Sequence, residues 1–188
     1  MTESSSDILG VVLSGGSSRR FGSDKALTTL DGRALIEHVY DALSRAVPKV
    51  VVSVGSANRT YHVPSQYVID QWQDVGPLSG IASALSATET ERIFVVAADL
   101  PRIRTESITA ILDGFQRPIT IARNADSGRL QPLCGVWHRD ILDDLTHYIL
   151  DGGRTVMAFL DMVDHHTVDI PPAELANINR PTDVRAEE

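Results

Sequence analysis

Short runs of consecutive apolar residues recur along the first half of the chain, separated by polar stretches. Ile8–Leu13 is nearly unbroken, and residues 93–98 form a second continuous run. β-Branched residues also dominate two shorter runs, Val50–Val54 and 67–69. Strands that are apolar on both faces are typical of a parallel sheet covered by helices on both sides. The runs therefore predict buried parallel strands.

Apolar residues at helical spacing fall between these runs. They predict a helix after residue 34, a second one over residues 78–87, and a third one that Thr105 would N-cap and Gly114 would end. The apolar positions of the first helix are Leu35 or Ile36, Val39, Tyr40, Leu43 and Val47. Alternation of strands and helices over the first 115 residues is typical of repeated β-α units in a doubly wound domain.

The second half of the chain predicts further strands and helices. Strands are expected over 118–122 and 133–137, a helix over 141–149, a short helix over 156–163, and a last turn from Pro181. We therefore expect an α/β fold with three layers around a doubly wound, mostly parallel sheet. Because no linker is long enough to divide the chain, residues 1–188 are expected to form a single domain, with 1–7 as a disordered tail.

Composition and net charge limit the classes of protein to which this sequence can belong. The 188 residues are 43% apolar, which is enough for one core, and the net charge of -8 disfavours stable binding to nucleic acid. The apolar runs are shorter than the ~20 residues of a membrane helix, and no secretory signal pattern opens the sequence. We therefore expect a cytoplasmic protein without a membrane segment. The single cysteine, Cys134, excludes an internal disulfide.

The segment after the first strand reads LSGGSSRRFGSDK over residues 13–25. Its Gly-Gly pair lets backbone amides approach an anion closely, and two arginines and Lys25 supply positive charge. The spacings of a P-loop and of a dinucleotide fingerprint do not occur here. The segment therefore predicts a triphosphate-binding loop, and a solvated surface loop with incidental bases is the alternative.

Two aspartates follow predicted strands. Asp99 comes directly after the run 93–98, and Asp70 directly follows residues 67–69. Ligands of open α/β sheets collect outside the carboxyl ends of the strands, where Asp99 could hold Mg²⁺ against phosphate oxygens. For either residue alone, capping of the next turn is about equally plausible. The turn GPLSG at 76–80 opens a helix at the same edge, where a base or ribose could be admitted.

The opening motif, continued to Ala26, resembles that of the GT-A-like nucleotidyltransferases. GPLSG at 76–80, ADLP at 98–101, QP at 131–132 and NINRPTD at 177–183 are similar to the molybdenum cofactor guanylyltransferases, the MobA branch of that superfamily. The resemblance covers nearly the whole chain. It implies a Rossmann-like nucleotidyltransferase fold.

The resemblance also implies a reaction and a set of site residues. GMP would pass from GTP to the terminal phosphate of molybdenum-molybdopterin, with Mg²⁺ as cofactor, Asp99 as its ligand, and Arg20, Lys25 and Asp99 as catalytic residues. The implied nucleotide-binding residues are Leu13, Ser14, Gly15, Gly16, Lys25, Ser53, Asp70, Gly80 and Asp99. The implied pterin-side residues are Arg154, Asn177 and Asn179.

Several alternatives share these features. A cytidylyltransferase that uses the same pterin, a sugar-phosphate nucleotidyltransferase and a non-catalytic nucleotide sensor could all carry the same loop. Ser53 stands where related enzymes can carry asparagine beside the nucleotide, so the choice between guanine and cytosine stays open. We expect a monomer that makes transient contacts with other proteins of cofactor biosynthesis or molybdoenzyme maturation.

Overall fold

The computed structural model describes residues 8–14, 24–55 and 59–178, which form nine strands and five α-helices. The strands are β1 (Ile8–Leu13), β2 (Thr29–Leu30), β3 (Arg33–Ala34), β4 (Val50–Val54), β5 (Gln66–Ile69), β6 (Arg92–Ala97), β7 (Ile119–Asn124), β8 (Leu130–His138) and β9 (His166–Ile170). The helices are α1 (Leu35–Ser44), α2 (Pro77–Ala87), α3 (Thr105–Asp113), α4 (Leu142–Leu150) and α5 (Val156–Leu160), with 3₁₀ turns at Lys25–Leu27, Arg139–Ile141 and Pro172–Leu175.

Seven of the described strands form one sheet in the order β5-β4-β1-β6-β8-β7-β9. β8 is antiparallel to both of its neighbours, and the other pairs are parallel. The chain moves outward from β1 through β4 to β5 and then returns to β6 on the opposite side of β1. The carboxyl ends of β1 and β6 therefore form the topological switch point, which is where open α/β sheets bind ligands.

The sheet carries helices on both faces. Successive side chains of a strand point to opposite faces, so each buried strand packs against both helix layers. On one face, Ile8 and Val12 of β1 pack in the same core cluster as residues of α1 and α3. On the other face, Leu9 and Val11 share a cluster with residues of α2, α4 and α5. The prediction of a three-layer, doubly wound, mostly parallel α/β sheet is confirmed.

The predicted N-cap of the third helix is wrong by one residue. Thr105 is the first residue of α3, and the capping position belongs to Arg104. The Thr105 hydroxyl donates to the carbonyl of Ala42 in α1, 3.0 Å away. The carboxylate of the buried Glu174 accepts from the backbone N–H of Arg104 at 2.9 Å. A residue distant in sequence therefore pairs one of the N–H groups that the start of a helix leaves without a partner.

Some elements have no counterpart among the predicted ones. The hairpin of β2 and β3 has only two residues in each strand, and β9 is a half-polar edge strand without an apolar run. β8 begins three residues before the predicted 133–137 run, and these first residues, Leu130, Gln131 and Pro132, line a cleft. The predicted tail 1–7 and the turn from Pro181 lie outside the described residues.

Two expectations from composition can be compared with the structure. Cys134 is fully buried in β8, and burial raises the pKa of its thiol to about 12. The thiol therefore stays protonated at neutral pH and packs as a small apolar group.

None of the helices formed by the described residues has the length and apolarity needed to cross a membrane.

Gly135 lies where β8 packs closely against β7. It pairs with Ile121, next to a register shift, and a Cβ built on it would lie 2.3 Å from the Thr120 carbonyl oxygen. Because that neighbour is backbone, we expect Gly135→Ala to lower the free energy of unfolding by about 1–3 kcal/mol. Gly55→Ala is the matched control, since a Cβ there meets nothing within 4 Å. Equal denaturation midpoints for the two variants would contradict this packing.

Candidate functional site at the switch point

Two predicted site residues, Lys25 and Asp99, meet at the edge of the sheet where β1 and β6 end. The backbone N–H of Ala98 donates to the Leu13 carbonyl at 3.0 Å, so the parallel ladder continues past the end of β6. Asp99 follows directly. Its Oδ2 lies 2.7 Å from Nζ of Lys25, and both side chains are about one-fifth exposed (21% and 22%). The structure thus joins the basic residue of the predicted phosphate loop to the strand-end carboxylate.

Lys25 is held at this edge by a short capped turn. The turn Lys25–Leu27 is a 3₁₀ helix whose N-cap is Asp24, and Oδ1 of Asp24 accepts from the backbone N–H of Ala26 at 3.1 Å. Ala26 is buried in the core on the α1 face. The cap and this buried side chain together fix the residue between them, so Lys25 projects towards Asp99 from an anchored backbone.

Asp99 has one carboxylate oxygen without a hydrogen-bond partner in the described part of the chain. Oδ1 is buried and accepts no hydrogen bond from the described residues. A buried carboxylate oxygen without a donor is costly, so its presence favours a ligand that supplies positive charge or a proton. No group of three or more His, Cys, Asp or Glu side chains within the described ranges could hold a metal on its own. Such a sparse oxygen donor set fits Mg²⁺, which is commonly held by one or two carboxylates with water and substrate phosphates.

Four of the residues predicted to bind nucleotide meet on the α2 side of the sheet. Leu13 is the last residue of β1, Ser53 is the next-to-last residue of β4, and Asp70 directly follows β5. Gly80 of α2 lies so close that a Cβ on it would be 2.6 Å from Ser53 Oγ and 2.8 Å from Leu13 Cδ2. Glycine at position 80 therefore lets the helix approach these strand ends without displacing the two side chains.

Ser53 and Asp70 form a buried polar pair. The Ser53 hydroxyl donates to Oδ1 of Asp70 at 2.7 Å, and Ser53 is completely buried. Burial raises the pKa of the Asp70 carboxyl, while the hydroxyl and the charge of Arg59 oppose that rise. Perturbed carboxyls of this kind concentrate at functional sites. With Ser53 directly behind it, Asp70 is the member of the pair that can reach a ligand.

Two residues at this edge were missed by the sequence analysis. Arg59 donates from Nη1 to the Ser14 carbonyl at 2.9 Å. Tyr61 donates from its hydroxyl to Oδ2 of Asp24 at 2.7 Å. Both lie between β4 and β5, and their contacts place them beside Ser14 and Asp24. Their position after a predicted strand was the available signal, although nothing in their spacing distinguishes them from ordinary loop residues.

A cleft of about 750 Å³ opens on the other side of Asp99, between the start of β8, α5 and the segment 172–177. Asn177 lines it, and its Oδ1 accepts from Nε2 of Gln131 at 2.9 Å. The next residue, Ile178, donates its backbone N–H to the Asp99 carbonyl at 3.0 Å. The cleft wall is therefore tied directly to the switch point. The described lining residues are Asn124, Arg129, Leu130, Gln131, Pro132, Leu133, Val156, Met157, Pro172, Leu175, Ala176 and Asn177.

Arg154 is the one remaining described residue of the predicted set, and it is not brought into this arrangement. Arg154 is exposed and uses Nη1 on the carbonyls of Ile149 and Gly153, at 3.1 and 2.7 Å, and it does not line the cleft. The predictions for Gly15, Gly16, Arg20 and Asn179 lie outside the described residues.

Known proteins resemble this chain over nearly its full length. The family model of the MobA-like NTP transferase domain matches residues 10–168. A molybdenum cofactor guanylyltransferase of Yersinia pestis is 31% identical over 182 residues, covering 94% of this chain and 93% of its own. The family match and this relative support a nucleotidyltransferase role.

Two solved structures share the fold at lower sequence identity. The molybdopterin-guanine dinucleotide biosynthesis protein A of Archaeoglobus fulgidus superposes with a TM-score of 0.77 at 23% identity, covering 94% of this chain and 95% of that one. The 2-C-methyl-D-erythritol 4-phosphate cytidylyltransferase of Thermus thermophilus gives 0.70 at 13% identity, with 93% and 94% covered. These likenesses confirm the Rossmann-like nucleotidyltransferase fold. Because the family model spans most of the sequence, this chain belongs to the family of nucleotidyltransferases with a MobA-like NTP transferase domain.

Proposed function

We propose that this protein transfers GMP from GTP to the terminal phosphate of molybdenum-molybdopterin, releasing pyrophosphate and forming molybdopterin guanine dinucleotide. The observation that carries the proposal is the Lys25–Asp99 pair, whose buried Oδ1 lacks a donor among the described residues. This pair lies at the switch point, between the Asp70 side of the edge and the cleft lined by Asn177. A transferase that joins two anionic substrates needs such a centre between two binding sites.

The nucleotide is assigned to the α2 side. Asp70 offers a carboxylate that Ser53 holds from behind, and guanine presents two adjacent N–H donors on the edge that such a group recognises. The backbone at Leu13 and Ser14 borders the same space. Lys25 would then lie towards the phosphates, and the proposal keeps for Arg20, Gly15 and Gly16 the roles that the resemblance implies.

The acceptor is assigned to the cleft side. The cleft wall combines apolar side chains such as Leu133 and Met157 with amides and Arg129, a mixture suited to a flat heterocycle with polar edges and a phosphate tail. Asn177 lines this wall two residues before Asn179. The hydrogen bond from the Ile178 N–H to the Asp99 carbonyl supports this assignment, because it joins the wall to the proposed reacting centre.

The chemistry requires positioning and charge neutralisation more than a protein nucleophile. A phosphate monoester oxygen is already anionic at neutral pH, so this oxygen attacks the α-phosphorus and pyrophosphate leaves. Lys25 neutralises charge on the phosphate oxygens, and Asp99 orients Lys25 through Oδ2. Oδ1 of Asp99 would hold Mg²⁺, which when bound neutralises the triphosphate and the leaving pyrophosphate.

The direct test of the reaction is pyrophosphate release with each of the four nucleoside triphosphates, supplied with Mg²⁺ and molybdenum-molybdopterin. Of the four triphosphates, we expect only GTP to give pyrophosphate release, and only when the pterin is present. Strict preference for CTP would instead identify a cytidylyltransferase. Binding of GTP without release, with the pterin supplied, would identify a nucleotide sensor.

Lys25→Ala should lower kcat by roughly 10²- to 10³-fold, because it removes a preorganised cation from the phosphates. Turnover is measured at saturating GTP, where weaker binding no longer limits the rate. The control is Lys49→Ala, which removes an exposed lysine just before β4, at the opposite edge of the sheet. Unchanged turnover of Lys25→Ala would remove the lysine from the mechanism.

Asp99→Asn should abolish both turnover and the dependence of GTP binding on Mg²⁺, because a neutral amide is a much poorer metal ligand than a carboxylate. Calorimetric titration of GTP with and without Mg²⁺ measures the second effect independently of catalysis. Asp113→Asn, an exposed and isosteric change at the end of α3, is the control. If Asp99→Asn retains Mg²⁺-dependent binding and activity, Asp99 is not the metal ligand.

A further inference from the structure

Arg59 and Tyr61 lie between β4 and β5, close to Ser14, the residue that follows β1. Arg59 donates from Nη1 to the Ser14 carbonyl at 2.9 Å, and its Nε lies 3.8 Å from Oδ2 of Asp24. Tyr61, two residues later, is 7% exposed and packs in the core on the α1 face. These contacts place a tyrosine hydroxyl beside the residue that follows β1 and the residue that precedes Lys25.

The hydroxyl of Tyr61 joins these two positions. It donates to Oδ2 of Asp24 at 2.7 Å, and it accepts a hydrogen bond from Oγ of Ser14. Asp24 uses its other oxygen, Oδ1, to cap the turn that carries Lys25. Both oxygens of this carboxylate are therefore engaged, so Tyr61 fixes the orientation of the group that caps the turn.

Tyr61 is itself held in a single backbone position. Its N–H donates to the Tyr67 hydroxyl oxygen at 2.8 Å, and that hydroxyl donates to the Tyr61 carbonyl at 3.1 Å. Burial raises the pKa of the Tyr61 phenol to about 12. The phenol therefore remains protonated at neutral pH and keeps donating to Asp24.

We propose that Tyr61 is a positioning residue for phosphoryl transfer, which sets the place of Lys25 by orienting Asp24 and anchoring it to Ser14. It acts through Lys25 and does not touch the reacting atoms. The proposal rests on the function proposed above, because it assumes that Lys25 serves the transferred phosphates. Small displacements of such a group are costly, since electrostatic stabilisation depends on preorganised geometry.

The test is a double-mutant cycle between Tyr61→Phe and Lys25→Ala. Tyr61→Phe keeps the buried ring and removes only the hydroxyl. Alone, it should lower kcat by about 10- to 100-fold, with a much smaller change in the KM for GTP. In the Lys25→Ala background, the same change should alter kcat by less than about twofold, because its route of action is already gone. Equal factors in both backgrounds would overturn the proposal.

Controls separate positioning from general loss of structure. Tyr148→Phe removes a phenolic donor of the same kind, from Tyr148 to the Thr155 carbonyl at 3.3 Å, and should leave kcat unchanged. If Tyr61→Phe does not fold, Asp24→Asn replaces it in the cycle with Lys25→Ala. Asp24→Asn weakens the hydrogen bond that residue 24 accepts from Tyr61 and keeps the shape of the side chain. Independence of Asp24→Asn from Lys25→Ala would likewise overturn the proposal.

The dissociation constant of GTP with Mg²⁺ is measured by calorimetry for the four proteins of the cycle. Lys25→Ala should weaken binding, and Tyr61→Phe should weaken it only while Lys25 is present. If the wild-type protein binds GTP but releases no pyrophosphate, the proposed function fails, while this binding cycle still decides whether Tyr61 acts through Lys25. Independent effects on the dissociation constant would overturn the positioning role even in an active enzyme.

Discussion

The ion pair between Lys25 and Asp99 is the interaction on which the arrangement of the site depends. It exists because β1 and β6 are parallel neighbours whose carboxyl ends meet, although their sequence positions are far apart. The pair also leaves one carboxylate oxygen buried without a donor among the described residues. A buried carboxylate oxygen of this kind favours completion by a group from outside the protein, and this links the topology of the sheet to the candidate site.

The two faces of the sheet contribute different parts of the site. On the α2 face, Gly80 lets the helix press against the strand ends, where Ser53 supports the carboxylate of Asp70. On the α1 face, Tyr61 connects Ser14, which follows β1, to Asp24, the N-cap of the turn that carries Lys25. Side chains alternate along a strand, so one strand end can serve both faces at once. Leu13, the last residue of β1, packs on the α2 face, and Ser14, which follows it, bonds to Tyr61.

Most of the fold could be predicted from the sequence, because buried parallel strands and amphipathic helices leave strong periodic signals. The weak elements were the ones missed or misplaced. The β2–β3 hairpin is too short to show a period, β9 is half polar, and the start of α3 depends on Glu174, a distant residue. In the site, Asp70 and Asp99 could be predicted because they follow apolar runs. Tyr61 could not, because its partners are set by the packing of the loop.

The sequence by itself determined the class of the fold, the edge of the sheet at which chemistry would occur, and the residue types available there. These follow from local patterns, since apolar periodicity specifies strands and helices, and strand ends specify where polar groups collect. Only the tertiary structure decided which of those residues meet. The pairing of Lys25 with Asp99, the support of Asp70 by Ser53 and the joining of β1 to Asp24 through Tyr61 all arise from contacts between distant segments. Strand order and helix packing determine such contacts, and neither leaves a local trace in the sequence.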